Sequence, residues 1–122
     1  MAIIGLGTDI VEIERFDNKN LAALAQRILT PNELAIFNRH KQPIRYLAKR
    51  WAAKEAAAKA LGTGIAKGVT FHNFEVSSDQ NGAPVITLSG VAAQRAGQQT
   101  KAWITLSDEK NYAVATVILE ML

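Results

Sequence analysis

The sequence contains no cysteine among its 122 residues. Disulfides, thiolate metal sites and cysteine nucleophiles are therefore excluded, and we predict a cytoplasmic protein. No apolar run approaches the roughly 18 residues of a membrane span, so we predict no membrane partner. The N-terminus lacks the basic start and the long apolar centre of a signal peptide. Walker and dinucleotide fingerprints and a serine nucleophile elbow are also missing.

What the chain does contain is enough apolar surface for one packed domain. Its hydrophobic fraction is 48% and its charged fraction is 20%, a balance that argues against disorder. We predict a single domain over residues 1–122. The net charge of +3 suits an anionic partner but is low for a protein that binds nucleic acid, and we predict no nucleic-acid partner.

The order of patterns predicts one strand, then helices, then a strand-rich second half. The predicted strands cover residues 2–13, 70–77, 84–88, 102–106 and 112–119, and the predicted helices cover 14–29, 31–40, 43–61 and 90–98. Thr30, Pro31 and Glu33 form a strong helix start, and Asn81-Gly82 predicts a hairpin turn. We therefore predict an α+β fold with a mostly antiparallel sheet packed with helices.

Asp9 lies in the middle of the first apolar strand, on the same side as Gly5 and Gly7. Burying a carboxylate is costly unless a positive group compensates it, so a role as a metal ligand is one interpretation. An edge strand with Asp9 in solvent and an ion pair with a lysine are the alternatives. The two glycines indicate that another backbone or a ligand comes close to this strand.

The helix over 43–61 carries Glu55 and Lys59 one turn apart, among alanines. A surface ion pair worth about 0.2–0.5 kcal/mol is the ordinary interpretation. The small neighbours instead indicate that something approaches this helix closely, and a partner strand carrying Asp9 would be able to share an ion with Glu55. Two carboxylates suit Mg²⁺, which prefers oxygen ligands and often takes only one or two from the protein. Lys59 would then offer its charge to a phosphate.

The turn after this helix reads Gly62-Thr63-Gly64. It is either a helix stop or a place where backbone N–H groups reach an anion.

Basic residues are concentrated in the helical half of the chain. A solvated basic face is the plain interpretation, and a dock for an acidic protein or a polyphosphate ligand is the functional one. A module that binds nucleic acid in a salt-sensitive manner is a rival hypothesis. The residues are Arg15, Arg27, Arg39, Lys41, Arg45, Lys49 and Arg50.

Two segments together resemble a known family. Residues 5–15 read GLGTDIVEIER and residues 51–60 read WAAKEAAAKA. They resemble the two signatures of holo-[acyl-carrier-protein] synthase, the small bacterial type of 4'-phosphopantetheinyl transferase. The resemblance extends over the whole chain. It implies an enzyme that moves the phosphopantetheine arm of coenzyme A onto a serine of apo acyl carrier protein, releases adenosine 3',5'-bisphosphate and supports fatty acid biosynthesis.

The resemblance implies a catalytic role for three residues. Asp9 and Glu55 would hold Mg²⁺ against the coenzyme A pyrophosphate, and Lys59 would contact the same phosphates. Either Glu55 or a water molecule on the metal would take the serine proton, and the water is favoured because a carboxylate that ligates a metal is a weakened base.

The resemblance also implies contacts with coenzyme A. Gly62, Thr63 and Gly64 would lie against it, and Arg50 and Arg45 are candidates for its 3'-phosphate.

Arg15 and Arg27 would dock the acidic recognition helix of the carrier protein. The family typically forms homotrimers in which neighbouring subunits share each site. One departure concerns Asp108, which stands where many members have a histidine, so any pyrophosphate contact of that histidine is absent or replaced here. A degenerate member that binds carrier protein without turnover is a second rival hypothesis, against which the intact set of Asp9, Glu55 and Lys59 argues.

Overall fold

The computed structural model describes residues 1–122 and has the predicted α+β architecture. One sheet has three strands in the order first, fifth, fourth, and the second sheet pairs the second strand with the third; every pairing is antiparallel. The strands and helices are β1 (Ala2–Glu12), α1 (Leu21–Ile28), α2 (Pro31–Phe37), α3 (Pro43–Leu61), β2 (Phe74–Ser78), β3 (Pro84–Leu88), α4 (Gly90–Ala96), β4 (Thr100–Asp108) and β5 (Tyr112–Met121).

The prediction of one helix over residues 14–29 is wrong. The chain forms a short 3₁₀ helix at Ile13–Phe16 and then turns before α1 begins. In the turn, the side-chain oxygen of Asn18 accepts a hydrogen bond from the backbone N–H of Asn20 at 2.8 Å. Such local bonds from asparagine compete with helical hydrogen bonds, which explains the interruption.

The predicted strand over 70–77 also begins later than expected. The side chain of Asn73 accepts a hydrogen bond from the N–H of Thr70 at 3.1 Å and closes a 3₁₀ turn at Phe71–Asn73. The strand starts only after that turn. The predicted hairpin is confirmed, because Gly82 adopts a positive φ of 82° between β2 and β3.

Apart from the helix over 14–29, the predicted helix starts agree with the structure. Thr30 and Glu33 form the complete capping box of α2. Helix α3 begins at Pro43 and ends at Gly62, which has a φ of 83°.

Two predicted helix ends are wrong. α2 ends at Phe37, three residues before the predicted end at residue 40, because the N–H groups of Arg39 and His40 donate to carbonyl oxygens only three residues back. α4 ends before Gly97, two residues earlier than predicted, because this glycine has a φ of 95°.

Helix α3 lies directly against the glycine-bearing side of β1. A Cβ atom added to Gly7 would collide with the carbonyl oxygen of Ala56, and one added to Gly5 would collide with that of Ala60. The alanines of α3 that face this contact are almost completely buried. The close approach predicted from the glycines and alanines therefore occurs within one chain, and it brings Asp9 to α3.

The opposite face of the three-stranded sheet has no helix on it. Leu6 and Ile10 of β1 are 65% and 63% exposed there, and Trp103 of β4 is also exposed. No helix of the chain combines the length and the apolarity that crossing a membrane requires.

Candidate active site

Asp9 points from β1 towards α3 and is only 9% exposed. Its Oδ1 atom accepts a hydrogen bond from Lys59 Nζ at 2.9 Å, and the same ammonium donates to the carbonyl oxygen of Thr8 at 3.1 Å. The structure thus contains the ion pair with a lysine that was one interpretation of Asp9. Lys59 does not pair with Glu55, so the simple surface pair along the helix is not formed.

Glu55 lies close enough to Asp9 for the two charges to interact. Burial raises the pKa of the Glu55 carboxyl above its usual value, and the negative charge of Asp9 raises it further. Lys59 and Arg15 oppose these effects but do not cancel them. A carboxylate whose ionisation is disfavoured by burial and by a neighbouring carboxylate forms a site that a cation would stabilise.

The donor set fits Mg²⁺. The Oδ2 atom of Asp9 is buried and has no hydrogen-bond partner, so it has a lone pair to offer to a cation. The chain has no cluster of three or more histidine, cysteine, aspartate or glutamate side chains that could hold a metal alone. Asp9 and Glu55 would therefore be the two protein ligands, and a phosphate ligand and water would complete the oxygen set that Mg²⁺ prefers.

Beside Glu55 lies an open cavity of about 350 Å³ between α1 and α3. Its lining includes Arg15, Arg27 and Trp51, together with Phe71. The Arg15 guanidinium stacks on Trp51, 5.0 Å from the ring centre, and that of Arg27 lies 5.8 Å from the ring centre of Phe71. Two cations held over aromatic rings form a positively charged rim around a carboxylate.

The turn at residues 62–64 closes the end of α3. The N–H of Gly62 donates to Lys59 O at 2.9 Å, and the N–H groups of Thr63 and Gly64 donate to Ala58 O at 3.3 and 3.1 Å. These N–H groups already donate to carbonyl oxygens at the end of α3. The turn therefore acts as a helix stop and offers no free N–H to an anion. The Thr63 hydroxyl donates to Gly64 O at 2.7 Å.

Arg45 and Arg50 do not join the cluster around Glu55 within one chain. They line a separate cavity of about 440 Å³ with His40, Tyr46 and Lys49. The Arg50 guanidinium lies 4.3 Å from the ring centre of Tyr46, and both the Arg50 Nε and the Tyr46 hydroxyl are buried without a hydrogen-bond partner.

Asp108 forms an ion pair with Arg45 beside the turn between β4 and β5. Its Oδ2 atom accepts from Arg45 Nη1 at 2.7 Å, and Lys49 Nζ lies 3.2 Å from Oδ1. Arg45 also donates to the carbonyl oxygens of Glu109 and Lys110. The Asp108 carboxylate, at the position where the resemblance implies a histidine, is therefore neutralised by two cations of α3.

Sequence reasoning missed the buried partners of this region. Lys54, the residue before Glu55, is completely buried against Glu33, a contact that the sequence motif does not indicate. Its position in the helix could have indicated this burial. Ala57 and Ala58 follow Lys54 at helical spacing, which places Lys54 on the apolar side of α3. Nothing in the sequence indicates that the carbonyl of Thr8 accepts a bond from Lys59.

Comparison with known proteins decides the family. Residues 5–117 match the model of the 4'-phosphopantetheinyl transferase superfamily. The chain belongs to this superfamily. Two curated phosphopantetheinyl transferases, the holo-[acyl-carrier-protein] synthases of Shewanella woodyi and Vibrio parahaemolyticus, are 57% and 58% identical to it over 130 and 125 residues. The alignments cover 97% and 98% of this chain and 98% and 99% of the relatives.

The fold of the superfamily is confirmed by a solved structure. The holo-(acyl-carrier-protein) synthase from Bacillus anthracis in complex with CoA (3',5'-ADP) is 37% identical to this chain, with a TM-score of 0.84. The match covers 98% of both chains. The resemblance drawn from the two sequence motifs and the predicted enzyme class are both confirmed.

Proposed function

We propose that this phosphopantetheinyl transferase moves the 4'-phosphopantetheine group of coenzyme A onto a serine of apo acyl carrier protein. The products are holo acyl carrier protein and adenosine 3',5'-bisphosphate. The observation that carries the proposal is the meeting of Asp9, Glu55 and Lys59 at one point, in a chain that matches holo-[acyl-carrier-protein] synthases over nearly its whole length. We place the reaction in the cytoplasm, in support of fatty acid biosynthesis.

The reaction is a phosphoryl-type transfer with a simple balance of bonds. The serine oxygen forms a bond to the phosphorus that carries pantetheine, and the bond from that phosphorus to the bridging oxygen breaks. The bridging oxygen leaves on adenosine 3',5'-bisphosphate, and the serine proton passes to Glu55 or to a water molecule. Such transfers depend mainly on in-line positioning and on neutralising charge.

Asp9 and Glu55 would hold Mg²⁺ at this site. When bound, the ion supplies Lewis-acid polarisation of the pyrophosphate and stabilises negative charge on the leaving phosphate. Lys59 keeps one of its three ammonium donors free, because the other two bond Asp9 and Thr8. That free N–H would donate to a phosphate oxygen on the leaving side.

For coenzyme A itself we propose contacts with Gly62, Thr63 and Gly64, and with Arg50 and Arg45. The turn at 62–64 begins three residues after Lys59, directly after the end of α3, so a ligand held by Lys59 would pass along it. Because the backbone N–H groups of the turn are occupied, we expect its contribution to be close packing without a bulky side chain. Arg50 has an unpartnered buried Nε in a basic cavity, which suits a phosphate.

Arg15 and Arg27 would dock the carrier protein. Both guanidinium groups lie on the rim of the cavity that contains Glu55, and neither forms an ion pair within the chain. Unpaired arginines around a site suit an acidic helix that must deliver its serine to that site.

We further propose a homotrimer with its sites between subunits. The uncovered face of the three-stranded sheet exposes Leu6 and Ile10 of β1 and Trp103 of β4, with Ile118 of β5 between Leu6 and Trp103. Apolar surface of this kind marks an interface. The separation of Arg45 and Arg50 from Glu55 within one chain also fits a site completed by a neighbour.

The test is the transfer reaction itself. Purified protein is mixed with coenzyme A labelled in its pantetheine arm and with apo acyl carrier protein, and label on the carrier protein is measured with Mg²⁺ and with a chelator. We expect transfer that requires both the carrier serine and the divalent ion. Absence of transfer under conditions where another holo-[acyl-carrier-protein] synthase works would show that the proposed activity is wrong.

A further inference from the structure

A buried ion pair lies beside the candidate active site but takes no part in the chemistry proposed above. The side chains of Lys54 in α3 and Glu33 in α2 are 0% and 1% exposed, and Lys54 Nζ lies 2.5 Å from Glu33 Oε1. Lys54 Nζ also donates to the carbonyl oxygen of Ile28 at 2.7 Å. One ammonium group therefore ties α3 to α2 and to the end of α1.

Glu33 extends this connection further. Its Oε1 atom accepts the N–H of Thr30 at 2.9 Å, and its Oε2 atom accepts the N–H of Val76 in β2 at 2.7 Å. The pair thus fixes three helices and one strand relative to each other. We call the bonds among Lys54, Glu33 and Ile28 the buried clamp.

Stability alone is a poor explanation for the buried clamp. Two charges lose their hydration when they are buried, and well-packed apolar residues of similar volume often stabilise a fold as well or better. What an ion pair with fixed hydrogen bonds adds is a defined geometry between the elements it joins. The relevant question is therefore which part of the molecule depends on the placing of α1 against α3.

The answer lies in the cavity of about 350 Å³ beside Glu55. Arg27 and Ile28 of α1 line one side, and Trp51 and Glu55 of α3 line the other. Lys54 directly precedes Glu55 and holds the carbonyl of the residue that directly follows Arg27. The clamp therefore bridges the two walls at the level of the two charged groups, while Lys54 itself does not line the cavity.

We propose that Lys54 is a positioning residue that sets the distance between Arg27 and Glu55, and through it the recognition of the acidic carrier protein. The proposal rests on the proposed function. α3 is held independently by the contact of its alanines with the glycines of β1, so loss of the clamp shifts α1 and leaves Glu55 in place. The affected step is docking of the carrier protein and not the chemistry at the phosphates.

The first test compares wild type with Lys54→Met. We expect KM for apo acyl carrier protein to rise roughly tenfold, because misplacement of a docking residue weakens only the interactions it makes. kcat and KM for coenzyme A should stay near the wild-type values. A purely structural loss would instead lower the active fraction, and with it kcat, without changing KM for the carrier protein.

A double variant keeps the test decisive if the single variant unfolds. Lys54→Met with Glu33→Gln removes both charges and retains a side chain suited to the capping box, but leaves Ile28 O without its donor. We expect this folded variant to keep the raised KM for carrier protein. Lys110→Met is the matched control, because it makes the same change at an exposed site in the β4–β5 turn and should change no kinetic constant.

Hydrogen exchange supplies a readout that does not depend on activity. In both clamp variants the amides of α1 should exchange faster than in wild type, whereas the middle of α3 should keep its protection. Unchanged KM for carrier protein in both folded variants, or unchanged exchange in α1, would overturn the proposal. If wild type transfers nothing at all, the proposed function fails, and the exchange of α1 still decides whether the clamp positions it.

Discussion

The surroundings of Glu55 disfavour the ionised form of its carboxyl group. Burial and the neighbouring charge of Asp9 raise its pKa, and Lys59 and Arg15 compensate only in part. Such a carboxylate suits a cation as a ligand, because the cation removes the repulsion between Glu55 and Asp9. At the scale of single residues, we therefore propose that a positive ion completes the site.

We predict that Mg²⁺ stabilises the protein through Glu55. Adding Mg²⁺ should raise the midpoint of thermal unfolding of wild type, since a ligand that binds only the folded state stabilises it. Glu55→Gln should remove this shift and lower the rate of transfer by roughly a hundredfold or more, the range seen when one group that stabilises the transition state is removed. Differential scanning fluorimetry and the labelling assay measure the two effects.

The matched control for the Mg²⁺ effect is Glu109→Gln. Its carboxylate is exposed and forms no ion pair. It should keep both the thermal shift and the rate. A shift that survives in Glu55→Gln but disappears in Asp9→Asn would mean that Asp9 alone holds the ion.

Several of these residues could be identified from the sequence, and the reason is chemical. A carboxylate in an apolar strand, and a charged pair among alanines, are both out of place unless something compensates them. The sequence could not show which charged side chains form ion pairs with each other. Lys59 reaches across to Asp9 and Thr8, because β1 packs closely on α3.

At the scale of elements, the most predictable feature is the contact of α3 with β1. Glycines at alternate positions of a strand and alanines along a helix both indicate close packing. In the structure, the glycine side of β1 contacts the alanine side of α3. The least predictable features are those controlled by local side-chain bonds. The break before α1 depends on Asn18, and the late start of β2 depends on Asn73; both compete with the regular pattern that hydrophobic spacing suggests.

The contact of α3 with the β4–β5 turn predicts a pH-dependent stability. Partial burial of Asp108 opposes ionisation, but hydrogen bonds from Arg45 and Lys49 outweigh it and hold the pKa of the carboxyl below its usual 3.8. The native state therefore binds fewer protons than the unfolded chain. The stabilisation is complete above the usual pKa and is lost as the pH falls through the lowered one.

Asp108→Asn should accordingly lower the free energy of unfolding at neutral pH by about 0.5–1 kcal/mol, the range for a partly exposed ion pair. The difference from wild type should shrink below the usual pKa of 3.8. Denaturant titrations at neutral and acid pH measure it, and added salt should reduce it. An equal difference at both pH values would show that packing of Asp108, and not its charge, is responsible.

At the scale of the whole molecule, one chain contains two separate groups of functional residues. Asp9, Glu55 and Lys59 meet on one side of α3, while Arg45 and Arg50 line a different cavity. A coenzyme A molecule carries phosphates that would need both groups. The uncovered apolar face of the sheet offers a way to bring them together, since in the proposed trimer the second group of one subunit would lie beside the first group of its neighbour.

We predict complementation between two inactive variants. Glu55→Gln and Arg50→Ala should each lose most activity alone, but co-expressed subunits should form mixed trimers with some intact sites. With random mixing in equal amounts, half of the sites have an intact Glu55 and half of those have an intact Arg50. About a quarter of the wild-type activity should therefore return.

The matched control mixes Glu55→Gln with Lys59→Ala. These two residues act within one chain, so no assortment of subunits can rebuild a site from them, and activity should stay absent. Sedimentation velocity on the same samples checks that trimers form in both mixtures. Recovery in the control would mean that Glu55 and Lys59 of one site come from different subunits. Absence of recovery in a fully trimeric mixture of Glu55→Gln with Arg50→Ala would mean that each site lies within a single subunit. The exposed sheet face would then account for assembly alone, and Arg50 would have to act without a neighbour.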